Sequence, residues 1–202
     1  YRGYDSAGLA LVNVSGLQRL RAVGRVAELT AQADALAASS QTGIAHTRWA
    51  THGVPCERNA HPHVSAGLAV VHNGIIENHE ALRARLKAEG YEFTSDTDTE
   101  VVAHLIAAEL KRNPDFFAAA RAAIGQLQGA YALAVLRETE PQRIIVAREG
   151  SPLLLGLADD GNYAASDASA LLQVTRRIVY LENGDCAEIT RSGYHVTRVD
   201  GT

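Results

Sequence analysis

Leu68-Ala69-Val70-Val71-His72-Asn73-Gly74-Ile75-Ile76-Glu77-Asn78-His79 is the stretch from which the architecture can be built outward. Residues 68–72 form an apolar run of strand length that stops at Asn73-Gly74. An Asn-Gly pair after a strand is a strong hairpin signal. The residues after Gly74, however, do not resemble a returning strand. Residues 78–89 carry apolar side chains at helical spacing and close on Gly90, a residue suited to the left-handed position after a helix. Two readings of Asn73-Gly74 therefore stand side by side. It is a tight turn, or it is a strand end where the Asn side-chain NH₂ and the Gly N–H point the same way as two donors.

Upstream, residues 7–14 are apolar, Ser15-Gly16 supplies a turn, and residues 17–23 alternate as a returning strand. An Ala-rich helix is expected over 26–38 and a short strand over 43–47. Residues 48–65 form a long irregular stretch containing Gly53, Pro55 and Pro62, with His52, His61 and His63 packed into it. A polar loop of this length inside a compact domain is more often functional than not. Downstream, the sequence predicts a short strand at 91–94, a helix over 99–111 and a second helix from Pro114 to 127. From Gly129 the texture changes to short strands at 130–136, 143–148, 152–157, 163–166, 178–182, 186–190 and 195–199, with one short helix within 167–174. Many antiparallel strands with helices to cover their faces imply an α+β fold.

The bulk numbers agree with one globular domain. The 202 residues are 47% hydrophobic and 21% charged, close to the average for folded soluble chains. A net charge of −4 and the lack of any Lys/Arg cluster speak against nucleic acid or an anionic membrane as partner. No apolar run is long enough to span a bilayer. Two cysteines, Cys56 and Cys186, are too few for a disulfide framework and suit a cytoplasmic location. The chain opens with neither Met nor a signal-like apolar segment, so Tyr1 is not expected to be a native start.

Several local clusters could carry chemistry. Arg48 follows a strand, where a guanidinium fork can take a carboxylate in bidentate fashion; the alternative is a surface ion pair. Trp49, the single tryptophan, is either a pocket wall or a core ring. Thr97-Asp98-Thr99-Glu100 matches a capping box with Thr97 as N-cap, and Asp98 or Asp96 could also hold a substrate ammonium. His61-Pro62-His63 with His52 or His72 invites a zinc site, but no metal-binding spacing accompanies them and hydrogen-bonded structural histidines are the default. Nothing flanking Cys56 would depress its pKa, and Cys186 falls at an apolar strand position, so both are read as incidental.

Taken together the motifs resemble a known family. Tyr1-Arg2-Gly3-Tyr4-Asp5-Ser6-Ala7-Gly8, His46-Thr47-Arg48-Trp49-Ala50-Thr51-His52-Gly53, Asn59-Ala60-His61-Pro62-His63, the segment from His72 to His79, and Asp96-Thr97-Asp98-Thr99-Glu100 are similar to the glutaminase domain of glucosamine-6-phosphate synthases (glutamine–fructose-6-phosphate aminotransferases, isomerising), which are class II glutamine amidotransferases. The similarity runs in order over essentially the whole chain.

The resemblance implies an N-terminal-nucleophile hydrolase sandwich of two stacked antiparallel sheets between helix layers, with residues 1–202 forming the glutaminase domain. In that family a Cys at the mature N-terminus attacks the glutamine side-chain amide with its own α-amino group as base. Ammonia then passes to isomerase domains that make glucosamine 6-phosphate. Carried over, Arg48 would hold the glutamine α-carboxylate and Asp98 its α-ammonium. Thr51 and His52 would line the pocket, Trp49 its mobile wall, Asn73 and Gly74 the oxyanion hole, and Arg2 would lie near the nucleophile. The family's opening Cys-Gly-Ile-Val-Gly strand, the helix after it and the isomerase domains have no counterpart in the 202 residues, so this piece by itself is expected to be inactive. The ligands implied are L-glutamine and L-glutamate, without cofactor or metal, and the parent protein is expected to be a dimer. A non-catalytic glutamine-binding module, or the glutaminase domain of another class II amidotransferase, is the alternative.

Overall fold

The structure, a computed structural model, describes residues 4–49 and 53–202. Three strands open the chain: β1 (Ser6–Asn13), β2 (Gly16–Val23) and, after helix α1 (Val26–Ala35), β3 (Gly43–Arg48). They make an antiparallel sheet in the order β2-β1-β3. Between β3 and the short β4 (His63–Ser65), the described residues 53–62 are irregular as expected apart from a 3-10 turn at Glu57–Asn59. Next come β5 (Leu68–Ile76), α2 (His79–Ala88), α3 (Glu100–Arg112), α4 (Phe116–Ile124), β6 (Gly129–Arg137) and β7 (Arg143–Glu149). The last part is β8 (Leu154–Leu157), β9 (Asn162–Ala165), α5 (Ala168–Leu171), β10 (Arg177–Tyr180), β11 (Asp185–Thr190) and β12 (Tyr194–Arg198).

Six strands form the central sheet, β12-β11-β7-β6-β5-β4, and every pairing is antiparallel. Side-chain alternation gives this sheet two apolar faces. One face (Leu68, Val70, Leu133, Val135, Ile145, Ala147, Cys186) is covered by α2, α3 and α4, with Phe116, Leu105 and Ile106 fully buried against it. The other face carries Ala69, Val71, Leu136, Ala132, Val146 and Ala187 and meets two small sheets. Ala10, Val12 and Ile44 of β1 and β3 cover one half of it. Leu155 and Val179 of β8 and β10 cover the other half, from a separate sheet ordered β10-β8-β9. Helix α1 closes the outer face of the first small sheet through Leu29 against Ala7, Leu20 and Ala22. The result is helix, sheet, sheet, helix, with the second sheet layer split into two three-stranded pieces.

Three local expectations need correction. Strand β5 does not stop at Asn73-Gly74: pairing with β6 runs on through Gly74↔Tyr131 to Ile76↔Gly129. The Asn-Gly pair is therefore inside a ladder and not in a hairpin. Gly74 makes this possible, at φ +128° with an added Cβ only 2.0 Å from the Ala130 carbonyl oxygen. Residues 91–94 form no strand. The capping box is absent too, because α3 begins at Glu100, with Thr99 in place of Thr97 at the N-cap and no side-chain cap bond. The Glu100 carboxylate instead reaches back to take the Thr94 and Ser95 N–H groups at 2.8 and 2.7 Å. By contrast Gly90 closes α2 as expected at φ +89°, with open space where a Cβ would lie.

Gly74→Ala should therefore be far more damaging than Gly90→Ala. Both meet left-handed strain of about 1 kcal/mol or more, but only the former drives a methyl into a backbone carbonyl, adding roughly 1–3 kcal/mol. Urea unfolding of the two variants would show it; equal losses would mean that the β5–β6 register here is wrong.

Candidate active site

The ends of β3 and β5 and the start of α3 meet around a cavity of about 330 Å³, lined by His46, Thr47, Arg48, Trp49, His61, His72, Asn73, Gly74, Ile75, Thr97, Asp98 and Thr99. Strand periodicity explains much of this lining. His46 and Arg48 are two apart on β3 and share a face, while His72 and Gly74 alternate with Asn73 along β5. Residues far apart in sequence converge because β3 and α3 both pack next to β5.

Arg48 is 3% exposed. Its Nη1 lies 3.2 Å from Asp5 Oδ1 and its Nη2 donates to the Gly53 carbonyl at 3.0 Å. Arg48 is thus buried and not a surface residue, and its ion-pair partner is the half-buried Asp5 of the opening motif. Asp98 is also 3% exposed. One of its oxygens accepts the Ile76 N–H at 2.8 Å and stands 3.9 Å from His72 Nδ1. Asp96, the other acidic candidate, is turned outward in an exposed pair with Arg58 at 2.7 Å.

The Ser95–Thr99 segment that carries Asp98 is held from several sides. Arg83 of α2 donates to the Ser95 and Thr97 carbonyls, and Asn59 Oδ1 takes the Asp96 N–H at 2.9 Å. Thr97 Oγ1 is hydrogen-bonded to His63 Nε2 at 3.0 Å. Thr99 Oγ1 is shared between His61 Nε2 at 2.9 Å and His72 Nδ1 at 3.0 Å. The histidines therefore fasten this loop to the sheet, each through a threonine. Among the described residues no group of three His, Cys, Asp or Glu side chains is arranged to hold a metal ion.

Trp49 is 59% exposed at the cavity mouth, so it is not a core ring. Asn73 and Gly74 both line the cavity, and Asn73 Oδ1 accepts a hydrogen bond from His46 Nε2 at 2.7 Å. Arg2, Thr51 and His52 lie outside the described residues. Neither cysteine belongs to the lining. Cys186 is fully buried on β11, and burial pushes its thiol up to about 12. Sequence reasoning missed two residues, Asp5 and His46. The two-residue spacing of His46 and Arg48 on one strand is the signal that could have found the second.

A family model described as a glutamine amidotransferase domain matches residues 46–173, which hold every described lining residue. The chain belongs to the glutamine amidotransferase domain family. It is 58% identical over 199 residues to glutamine–fructose-6-phosphate aminotransferase (isomerising) of Acidithiobacillus ferridurans, covering 98% of this chain and 33% of that protein. It is 55% identical over 197 residues to the enzyme of the same name from Escherichia coli K12, covering 97% and 32%. The amidotransferase domain thus spans about a third of the length of the curated relatives it matches. Among solved structures, the glutamine phosphoribosylpyrophosphate amidotransferase of B. subtilis is similar with a TM-score of 0.80 and 27% identity, over 98% of this chain and 43% of that one. The layered sandwich is accordingly that of the N-terminal-nucleophile hydrolase amidotransferases. Among the described residues no helix is long and apolar enough to cross a membrane.

Burial sets the protonation of the site. It lowers His46 to about 4 and His63 to about 3, and together with the neighbouring His46, His63, His72 and Arg48 it holds His61 well below the usual imidazole range. Each ring is neutral in the fold but takes a proton in the unfolded chain below pH 6.5. Between about pH 3 and 6.5 the unfolded chain thus binds more protons, and stability falls as pH is lowered, by at most about 1.4 kcal/mol per pH unit for each ring. Burial alone would raise Glu100, but His104, the Ser95 hydroxyl and the Thr94 and Ser95 N–H groups outweigh it and hold the carboxyl well below its usual range. Its contribution is lost in the same direction, below pH 4.5. The urea midpoint should be level between about pH 7 and 8 and fall from about 6.5 downward; a midpoint unchanged to about pH 4.5 would contradict the neutral buried histidines.

Proposed function

We propose that this domain binds L-glutamine in the 330 Å³ cavity and positions its side-chain amide for hydrolysis, within a longer enzyme that makes glucosamine 6-phosphate from fructose 6-phosphate. The observation that carries the reading is the lining itself, in which a buried guanidinium and a buried carboxylate share one small cavity with Asn73 and Gly74. A fixed cation and a fixed anion suit the two charged ends of a free amino acid. Arg48 takes the α-carboxylate through its planar fork, and Asp98 takes the α-ammonium. The Asn73 NH₂ and Gly74 N–H are the donors for the oxygen that becomes negative when the amide is attacked. Trp49, exposed at the mouth, is the cavity's movable wall.

The nucleophile is not Cys186, whose thiol is kept protonated in the core, nor Cys56, which lies away from the lining. We assign it, as the family resemblance implies, to an N-terminal cysteine whose own amine serves as base, and we take residues 1–202 as belonging to the glutaminase domain. The released ammonia passes to an isomerase domain. A cytoplasmic location fits the two unpaired cysteines.

Calorimetry with L-glutamine on the full-length protein, paired with a glutaminase assay, tests the reading. Wild type should bind and hydrolyse glutamine. Arg48→Lys and Asp98→Asn should each weaken binding about tenfold or more, the equivalent of a charge-assisted hydrogen bond. Unaltered glutamine affinity in both variants would exclude the zwitterion clamp, and binding without turnover would favour a non-catalytic glutamine-binding module.

A further inference from the structure

We infer that His46 is the positioning residue for Asn73, its ring N–H fixing which end of the Asn73 amide faces the cavity. This rests on the glutaminase reading of that cavity. A carboxamide has an oxygen end and an NH₂ end of nearly the same shape. Half a turn about its last torsion would replace a donor with a lone pair where negative charge develops, changing stabilisation into repulsion. Asn73 is exposed at the cavity wall, so packing does little to choose between the two orientations. The choice is made by hydrogen bonding: His46 Nε2–H donates to Asn73 Oδ1 at 2.7 Å, which occupies the oxygen end and leaves the NH₂ for the substrate side.

His46 is itself held from behind. Its backbone pairs with Gly8 in the β1–β3 ladder. Its ring lies 4.2 Å, centroid to centroid, from the ring of His61. His61 is fastened through Nε2 to Thr99 Oγ1, the same hydroxyl that bonds His72 Nδ1. A line of side chains thus runs from the start of α3, beside Asp98, to Asn73. The group that grips one end of the ligand and the donor that meets its amide are set by one network. Burial keeps the His46 ring neutral, so it orients Asn73 without adding a second positive charge near Arg48.

The test is a mutant cycle on the full-length protein, measuring kcat, KM and glutamine Kd for His46→Leu, His46→Gln, Asn73→Ala and the Leu/Ala double variant. Loss of a group acting only on the transition state lowers kcat and kcat/KM together. His46→Leu should lower kcat about tenfold or more, short of the roughly 100–1000-fold loss expected on removing an oxyanion donor outright, with KM and Kd within about twofold. Gln can place an N–H near the position of His Nε2 and should recover most of the turnover. On the Asn73→Ala background, His46→Leu should have no further effect, because residues acting as a unit are not additive. If the Leu variant is unstable, His46→Asn, polar but too short to reach, takes its place with the same expectations. Multiplying losses in the double variant, a raised KM with unchanged kcat, or a Gln variant as impaired as Leu would each overturn the role of His46. Wild type that neither binds nor hydrolyses glutamine would overturn the reading of the cavity instead.

Discussion

One oxygen of Asp98 takes the N–H of Ile76 at 2.8 Å, tying the beginning of α3 to the end of β5. This bond connects two elements that local sequence treats as separate. A buried carboxylate costs several kcal/mol unless its hydrogen bonds are supplied, so the surrounding segment has to be rigid. The Glu100 clasp on residues 94 and 95, the Arg83 fork on two carbonyls and the threonine–histidine bonds provide that rigidity. A mobile segment would let Asp98 seek water; a fixed one keeps it facing the cavity that Arg48 enters from β3.

The cationic side obeys the same constraint. Arg48 could not be left buried alone, and Asp5 with the Gly53 carbonyl meets part of its donor set. Any incoming carboxylate joins or exchanges with these partners. The neighbouring imidazoles His46 and His61 are kept neutral by burial, so among the described residues the lining presents one arginine and one aspartate. That simplicity underlies the proposal that a small zwitterion occupies the cavity.

Much of this could be read from the residues. The α+β class followed from the strand-rich second half and the strand-to-helix passage after Asn73-Gly74, and Arg48, Trp49, Asn73, Gly74 and Asp98 do line one cavity. Local pattern misjudged the positions where long-range contacts outweigh local preference. Thr97 and Glu100 have the spacing of a capping box, but Thr97 is engaged by His63 and Glu100 by the preceding loop, so the N-cap moves to Thr99. Asn73-Gly74 has hairpin chemistry, yet pairing with β6 keeps it in the ladder, and its glycine serves a close backbone approach to Ala130. Asp5 was invisible as a site residue because its importance lies in a partner supplied by another element, whereas His46 shares a strand face with Arg48 and only that spacing marked it.

The most direct measurement is a crystal structure of the full-length protein with L-glutamate bound. The α-carboxylate is expected on the Arg48 guanidinium, the α-ammonium on Asp98, and the side-chain carboxylate within hydrogen-bonding distance of the Asn73 NH₂ and Gly74 N–H. Glutamate bound elsewhere, or bound here with its charged ends reversed, would contradict that placement.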